Sequence, residues 1–275
     1  MKVLFLRNIF NIRYIVYIRY NFYLRYIVVA ALVCVLVPLL RAQEATEDSP
    51  EMKLIQAAAM AQVEDVQDLV TQGVNVNAVD KSGNSPLYYA CYEGHKKTTK
   101  ILIDAHANPN SKNKKGVTPL MAALTYNDTE LISILIKGGA DVNAQDAGGV
   151  TPLMYTVRQH NPDVVGLVVH AGANVNKKSS RGRDALREAI DVDDKSVVER
   201  LIALGADCNA RDTYGTTELI YAVKRGNATI VKALLDGGAD PAAKANNGDT
   251  AYDVATAQGL ESIADMLLKA TGKSK

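Results

Sequence analysis

Apolar residues recur at helical spacing in a repeating unit between positions 51 and 271. Equally spaced glycines mark the period at Gly83, Gly116, Gly149, Gly182, Gly215 and Gly248. One column of the pattern holds Leu54, Leu87, Leu120, Leu153, Leu186 and Leu219, with a small residue three positions later. This spacing predicts one face of a short helix in each unit. A second aliphatic column predicts a second helix, at Leu69, Leu102, Leu135, Val168, Leu201, Leu234 and Leu267. Such a fixed period is typical of a repeat protein, in which each unit packs on its neighbours.

One copy of the unit illustrates the predicted elements. Thr118 suits a helix N-cap, and Pro119 suits the first helical position, where its missing N–H costs nothing. A turn at Asn127-Asp128 leads to a second helix from Leu131, which Gly138-Gly139 ends because glycine readily adopts the left-handed C-terminal conformation. Residues 140–149 are then predicted to form an extended arm with a tight turn.

The unit resembles the ankyrin repeat. The segments SPLYYA (85–90), TPLMAA (118–123) and TPLMYT (151–156) match the Thr-Pro-Leu-His-x-Ala motif, and GADVNAQD (139–146) and GANVN (172–176) match its hairpin segment. The resemblance covers about residues 51–271. It implies an all-α solenoid of about seven stacked 33-residue helix-turn-helix repeats with β-hairpin fingers. The repeats are expected at 51–83, 84–116, 117–149, 150–182, 183–215, 216–248 and 249–271.

Several positions depart from the family pattern. Five motif segments, which begin at Ser85, Thr118, Thr151, Asp184 and Thr217, have another residue in place of the motif histidine. The hydrogen bonds that this histidine makes in the family must therefore be absent or remade. The replacements are Tyr88, Met121, Met154, Arg187 and Ile220. Asp184-Ala185 and Thr217-Glu218 lack the proline. His106 stands where a helix-ending glycine is usual, which predicts a more costly turn because non-glycine residues rarely adopt positive φ.

The N-terminal segment 1–42 differs from the repeats. Residues 27–40 form an uncharged apolar run that is short for a transmembrane helix, and it is followed by Leu40-Arg41-Ala42. We interpret residues 1–42 as a secretory signal cleaved after Ala42. The alternative is an uncleaved anchor held by residues 27–40. Residues 43–50 are polar and acidic and are predicted to be a flexible linker, and residues 272–275 a tail.

Charge and composition divide along the same boundary. The chain has 275 residues and a net charge of +1, but residues 1–42 contain six basic and no acidic residues. Residues 43–275 therefore contain 25 basic and 30 acidic residues, a balance of −5. All three Phe lie in the N-terminal segment and there is no Trp, so the repeat core is expected to be aliphatic. This balance argues against a general nucleic-acid-binding surface.

Candidate chemistry is sparse. The histidines (His95, His106, His160 and His170) lack metal-ligand spacing, and His95 occupies a Gly-His turn that ankyrin repeats often have. Cys91 and Cys208 are three to four repeats apart, so a disulfide between them is excluded and both are predicted to be buried core residues. The tail sequence TGKS lacks the glycine that a phosphate-binding loop needs. We therefore expect no catalytic cluster, cofactor or metal site.

In the ankyrin family, partners usually bind the finger tips and the concave face of the first helices. At these positions the chain has eight basic residues and only three acidic ones, Glu93, Asp191 and Asp249. The basic residues are Lys81, Lys114, Lys115, Arg158, Arg181, Arg183, Lys224 and Arg225. Tyrosines lie among them at Tyr88, Tyr89, Tyr92, Tyr126, Tyr155 and Tyr214. The charges are either a docking surface or solvated tips, and the tyrosines are either interface anchors or groove-wall residues.

Three function classes are consistent with these observations. The first is an exported, non-catalytic and monomeric module, similar to exported bacterial-type ankyrin repeat proteins, that binds a protein with an acidic surface. Its expected location is the periplasm or the exterior. The second is a structural or protective scaffold of the cell envelope, anchored through residues 27–40 with the repeats outside the cytoplasm. The third, an enzyme, lacks a recognisable catalytic cluster.

Overall fold

A computed structural model describes residues 49–272, of which residues 54–272 form one compact unit. The predicted signal or anchor (1–42), residues 43–48 of the predicted linker and residues 273–275 of the tail lie outside the described residues. Pro50, predicted as the last linker residue, is the first residue of a helix. Within residues 49–272, every helix falls short of the length and apolarity that a membrane span requires.

The described residues form fourteen α-helices in seven consecutive pairs. The pairs are α1 (Pro50–Ala59) and α2 (Val63–Thr71), α3 (Pro86–Tyr92) and α4 (Lys96–Asp104), α5 (Pro119–Ala123) and α6 (Thr129–Lys137), α7 (Pro152–Val157) and α8 (Pro162–His170), α9 (Ala185–Asp191) and α10 (Lys195–Ala203), α11 (Glu218–Arg225) and α12 (Ala228–Asp236), and α13 (Ala251–Ala257) and α14 (Glu261–Ala270). A 3₁₀ turn, Leu124–Tyr126, extends α5. Each first helix from α3 to α11 packs on the next first helix.

The first helices begin where the sequence predicts. The second helix of the illustrated copy, α6, begins at Thr129 rather than at the predicted Leu131, because the Asp128 side chain caps it by accepting from the N–H groups of Glu130 and Leu131. In five first helices the N-cap hydroxyl accepts a hydrogen bond from the backbone N–H three residues later, at Ser85, Thr118, Thr151, Thr217 and Thr250. Asp184 caps α9 in the same way with its carboxylate. His106 adopts the expected left-handed conformation, with φ at 62°.

The two aliphatic columns form the core. The leucines of the first helices are at most 1% exposed, and from α4 to α14 the second-helix column is fully buried. Leu69 in α2 is only half-buried. The small residues beside the first column, such as Ala90, Ala123 and Thr156, are fully buried and allow the helices to approach closely.

An asparagine ladder connects consecutive repeats from Asn77 to Asn209, and the column ends at Ala242. The Asn110 side chain donates to the Gly139 carbonyl (2.9 Å) and accepts from the Asp141 N–H (2.7 Å). Asn143 makes the same pair of bonds with Gly172 and Asn174 at 2.9 and 2.7 Å. The regular spacing of this column in the chain thus has a physical cause, because each amide satisfies two backbone groups of the following repeat.

The fingers are tight turns rather than strands, since the described residues contain no regular strand and only two isolated antiparallel bridges, Arg211 with Thr217 and Lys244 with Thr250. In the finger at 146–150, the Asp146 carboxylate accepts from the N–H groups of Gly148 (2.8 Å) and Val150 (2.9 Å). Neighbouring fingers also bond to each other, because the Ala147 N–H donates to the Lys115 carbonyl at 2.9 Å. The finger tips are therefore held at a fixed spacing along the stack.

Candidate functional site

A groove of about 640 Å³ opens between the first helices α3, α5 and α7 and the two fingers at 80–84 and 113–117. Its floor contains Tyr88, Met121 and Tyr155, and its finger side contains Lys81, Lys114 and Lys115. We call these six residues the lysine groove. The groove brings together five of the residues predicted from the sequence to bind a partner, and Tyr92 also lines it.

The aromatic part of the groove is centred on Tyr88, which stands in the column that holds Met121 and Met154 in the next two repeats. Its ring stacks on Tyr92, with centroids 6.0 Å apart and planes at 10°, and meets Tyr89 edge-on at 5.7 Å. Burial raises the pKa of Tyr88. Tyr92 remains 48% exposed, so the stack presents an open aromatic face to the solvent.

Two other tyrosines are tied to the fingers. The Tyr89 hydroxyl donates to Asp80 at 2.7 Å, and the Tyr155 hydroxyl donates to Asp146 at 3.0 Å. The bond to Asp80 raises the pKa of Tyr89, while burial, with Asp146 nearby, raises the pKa of Tyr155 to about 12. Both hydroxyls are therefore fixed donors at neutral pH. The Tyr155 ring still lines the groove, whereas Tyr89 is absent from its lining.

The three lysines lie on adjacent fingers that are held together by the backbone. The Lys114 N–H donates to the Ser82 carbonyl at 3.0 Å, and the Asn113 amide donates to Asn84 at 3.0 Å. Lys81, Lys114 and Lys115 are all exposed. Among the described residues no carboxylate lies within 4 Å of their ammonium groups, and the groove lining contains no Asp or Glu. The groove is consequently basic on one side and aromatic on its floor.

The predicted arginines behave differently. Arg158 pairs with Glu188 at 3.3 Å, and Arg183 pairs with both Glu188 (3.2 Å) and Asp191. Arg225 donates to the Asp191 carbonyl at 2.9 Å. We call these five residues the arginine cluster. Arg183, expected to be exposed, is only 29% exposed at its side chain, because the two carboxylates of α9 hold its guanidinium against the helix.

The remaining predicted residues lie outside the groove lining. Arg181 and Lys224 are exposed, and Tyr214 at the tip of a later finger is 76% exposed. Tyr126 is 48% exposed, and its ring lies against Gly94, where a β-carbon would be 3.3 Å from the ring. These side chains are accessible to solvent, but they do not line the groove that contains the lysines.

Sequence analysis missed a buried ionic cluster. Arg187 is 4% exposed and donates to Glu218 (2.6 Å), to Asp212 (3.4 Å) and to the Thr216 carbonyl (3.1 Å). Its guanidinium carbon also lies 4.2 Å from the centroid of the Tyr221 ring, a cation–π contact. Burial raises the pKa of Glu218 to about 7, and the adjacent Arg187 opposes this shift.

A signal for this cluster was present in the sequence. Arg187 replaces the motif histidine, and Glu218 replaces the motif proline of the following repeat. When two oppositely charged residues replace motif residues in columns that face each other in adjacent repeats, they indicate an ion pair between the repeats. Arg187 therefore connects two adjacent repeats and, because it is buried, is inaccessible to a partner.

The described residues offer little for catalysis or metal binding. Cys91 and Cys208 lie in the core as free thiols, and burial raises the pKa of Cys91 to about 12. His95 is a structural residue whose Nε2 lies 3.1 Å from the Ala59 carbonyl of the preceding repeat. Between residues 49 and 272, no three His, Cys, Asp or Glu side chains are grouped as metal ligands would be. Among the described residues, the lysine groove is thus the candidate site that gathers the predicted binding residues in one concavity.

Comparison with known proteins identifies similar chains. A family model described as ankyrin repeats (3 copies) matches residues 31–113, 54–146, 105–179 and 186–275. The crystal structure of the ankyrin repeat domain of Bcl-3, a unique member of the IkappaB protein family, is similar with a TM-score of 0.73 and 25% identity over 79% of this chain and 97% of that chain. The human ASB11 ankyrin repeat domain gives a TM-score of 0.68 and 26% identity over 81% of this chain and 99% of that chain. The search of curated proteins gives no match.

Proposed function

Because the chain belongs to the ankyrin repeat family, we propose that it is a non-catalytic module that binds another protein through its concave face and finger tips. Ankyrin repeats are generally protein–protein interaction modules, and the fold is typically a non-enzymatic scaffold. The similar proteins supply this general function only. The specific partner has to be inferred from the residues of this chain.

The observation that carries the proposal is the lysine groove. Its wall includes the exposed Tyr92 stacked on Tyr88. Aromatic residues that are accessible in a concave surface are the usual anchors of protein interfaces. The unpaired lysines beside them favour a partner with an acidic surface.

A nucleic-acid partner is disfavoured because residues 43–275 have a charge balance of −5. We propose that the protein acts as a monomer and that its partner is a protein. Sedimentation analysis of the purified protein checks the monomer directly.

We propose further that the protein is exported, as in bacterial-type exported ankyrin repeat proteins. The support is the sequence of residues 1–42, with its basic residues, uncharged apolar run and small residue at position 42. The mature N-terminus, measured by mass spectrometry of periplasmic or secreted protein, should be Gln43. Recovery of only membrane-bound protein that retains residues 27–40 would contradict cleavage and favour an anchored scaffold of the cell envelope.

Site-specific photo-crosslinking in the native host tests the binding face. The photoreactive residue p-benzoylphenylalanine is placed either at Tyr92, which lines the groove, or at Lys100, which is exposed on α4 outside the groove. The proposal predicts a specific protein adduct from position 92 and none from position 100. Equal adducts from both positions, or no protein adduct at position 92, would contradict a binding role for the concave face.

A further inference from the structure

The basic residues of the concave surface fall into two groups that differ in their pairing with carboxylates. In the lysine groove, Lys81, Lys114 and Lys115 have no carboxylate within 4 Å among the described residues. In the arginine cluster, Arg158 and Arg183 are already paired with carboxylates of α9. Arg181 and Lys224 are also exposed but lie outside the groove lining. The basic residues of this face are therefore gathered beside an aromatic floor only in the lysine groove, among the residues that the structure describes.

We propose that the lysine groove binds one extended acidic segment of a partner protein, and that the arginine cluster takes no part in binding it. The segment's carboxylates lie at the ammonium groups of Lys81, Lys114 and Lys115. Its apolar side chains pack on Tyr88 and Tyr92. This inference rests on the proposed function and specifies the part of the partner that the groove accepts.

Charge complementarity supports an acidic segment. Three ammonium groups on two adjacent fingers attract carboxylates without any competing acidic residue in the groove lining. Because these lysines are exposed, the attraction mainly raises the association rate and selects the partner. The tyrosine stack supplies the apolar contact that slows dissociation.

The backbone geometry supports an extended segment. In an extended chain successive side chains point to opposite sides, so a segment that alternates acidic and apolar residues presents carboxylates to one side and apolar groups to the other. The groove has a matching arrangement, with the lysines on its finger side and the partly exposed Tyr88 and Tyr155 on its floor, where Met121 is fully buried.

The arginine cluster is unsuited to the same segment. A carboxylate that approached Arg158 or Arg183 would lie close to Glu188 or Asp191, which already pair with these guanidinium groups. The Tyr221 hydroxyl and the Arg225 guanidinium also bond to Asp191, which holds the cluster closed. With three arginines against two carboxylates, the cluster attracts an acidic segment less strongly than the three lysines of the groove, whose lining contains no Asp or Glu.

The test uses the full-length protein and a fluorescein-labelled ten-residue peptide that alternates Glu and Leu. Fluorescence anisotropy gives its affinity for the wild type, for Lys81→Gln/Lys114→Gln/Lys115→Gln and for a charge-matched control, Lys97→Gln/Lys100→Gln/Lys137→Gln. The control lysines are exposed on α4 and α6 and are absent from the groove lining. We expect about a tenfold loss of affinity in the groove triple variant and less than a twofold loss in the control.

Two further variants locate the remaining contacts. Tyr92→Ala should increase the dissociation rate severalfold, whereas Arg158→Gln should leave the affinity unchanged within twofold. Circular dichroism confirms that each variant is folded. A Gln–Leu counterpart of the peptide should bind weakly to every variant.

Several results would overturn the inference. These are equal losses in the two triple variants, a loss in Arg158→Gln as large as that in the groove triple variant, or tighter binding of a ten-nucleotide single-stranded DNA than of the acidic peptide. If a protein still crosslinks at position 92 while the peptide shows no dependence on the three lysines, the acidic-segment inference fails and the general binding function stands. If position 92 gives no protein adduct, the general function fails independently of the peptide result.

Discussion

At the residue scale, the buried ion pair Arg187–Glu218 occupies two repeat positions that hold apolar residues in other repeats of the chain. Met121 and Met154 occupy the Arg187 column, while Pro119 and Pro152 occupy the Glu218 column. Removing one member of a buried ion pair leaves an uncompensated charge and typically costs about 3–5 kcal/mol, whereas replacing both members by apolar residues is often neutral. The coupling between Arg187 and Glu218 can therefore be tested by replacing each with the residue that stands at its position in other repeats.

We predict that Arg187→Met lowers the free energy of unfolding by about 3 kcal/mol, and that Glu218→Pro lowers it by less, because Asp212 and the Thr216 carbonyl still accept from Arg187. The double variant should recover most of the loss caused by Arg187→Met. Urea unfolding of the four proteins at pH 7 measures the cycle. Strict additivity of the two single effects would show that the two side chains are not coupled.

The pH dependence of stability provides a second test of Glu218. Its pKa of about 7 in the folded protein is above its ordinary value of 4.5, so the folded state binds more protons between these values. Stability should fall as pH rises from 4.5 to 7, by as much as about 3 kcal/mol in total. The carboxylates with lowered pKa, such as Asp212 and Asp128, stabilise the fold above their ordinary value of 3.8 and lose this effect at lower pH.

Glu218→Gln should flatten the stability curve between pH 4.5 and 7 while leaving the acid limb unchanged. Urea unfolding at half-unit pH steps measures both limbs. A wild-type curve that is flat or rising across this window would contradict the raised pKa of Glu218.

The fate of Arg183 shows the limit of prediction at this scale. Its position in the repeat predicts a place at a finger, but it does not predict the direction of the side chain. The structure turns Arg183 back onto Glu188 and Asp191, two acidic residues that α9 presents on one face. The helices beside the lysine tips, α3 and α5, contain no carboxylates, and these lysines remain exposed.

At the element scale, the fingers depend on glycine at one position for two reasons. Gly149 has φ at +73°, and a β-carbon there would lie 2.6 Å from the Ser180 backbone nitrogen of the next finger. Gly248 stands three repeats later in the same column with φ at +92°, but a β-carbon there would meet nothing within 4 Å. The period of the repeat predicted both glycines, while the close approach depends on how neighbouring fingers stack and is absent from the sequence pattern.

We predict that Gly248→Ala costs about 1–2 kcal/mol, from the left-handed backbone alone. Gly149→Ala should cost at least about 1 kcal/mol more, because the next finger must move. Chemical denaturation of the two variants measures the difference. Equal costs would mean that the fingers are not in the close contact described.

At the scale of the whole molecule, the repeats share one aliphatic core, and the register found in the sequence is confirmed there. Leu135 and Leu201 are fully buried in α6 and α10. Leu135→Ala and Leu201→Ala should each lower the free energy of unfolding by about 2–5 kcal/mol, as expected for large-to-small core substitutions. Lys100→Ala, on the exposed face of α4, is the control and should be nearly neutral. Similar melting temperatures for all three variants would contradict the register.

The helical repeat fold could be predicted almost entirely from the sequence because the same pattern of apolar, capping and turn residues recurs in every repeat. The lysine groove could be predicted only in part. Lys81, Lys114, Lys115 and the tyrosines were identified as candidates, but their separation from the paired arginines depends on side-chain contacts between repeats. Arg158, for example, is paired with Glu188, which lies in the following repeat.

The claim that the lysine groove is the binding surface is tested most directly by hydrogen–deuterium exchange of the full-length protein with and without the Glu–Leu peptide. Binding should slow exchange at the fingers 80–84 and 113–117 and at the C-terminal ends of α3 and α5, while α4, α6 and the arginine cluster keep their free rates. Protection on the second helices or at the arginine cluster, with unchanged exchange at these two fingers, would contradict it.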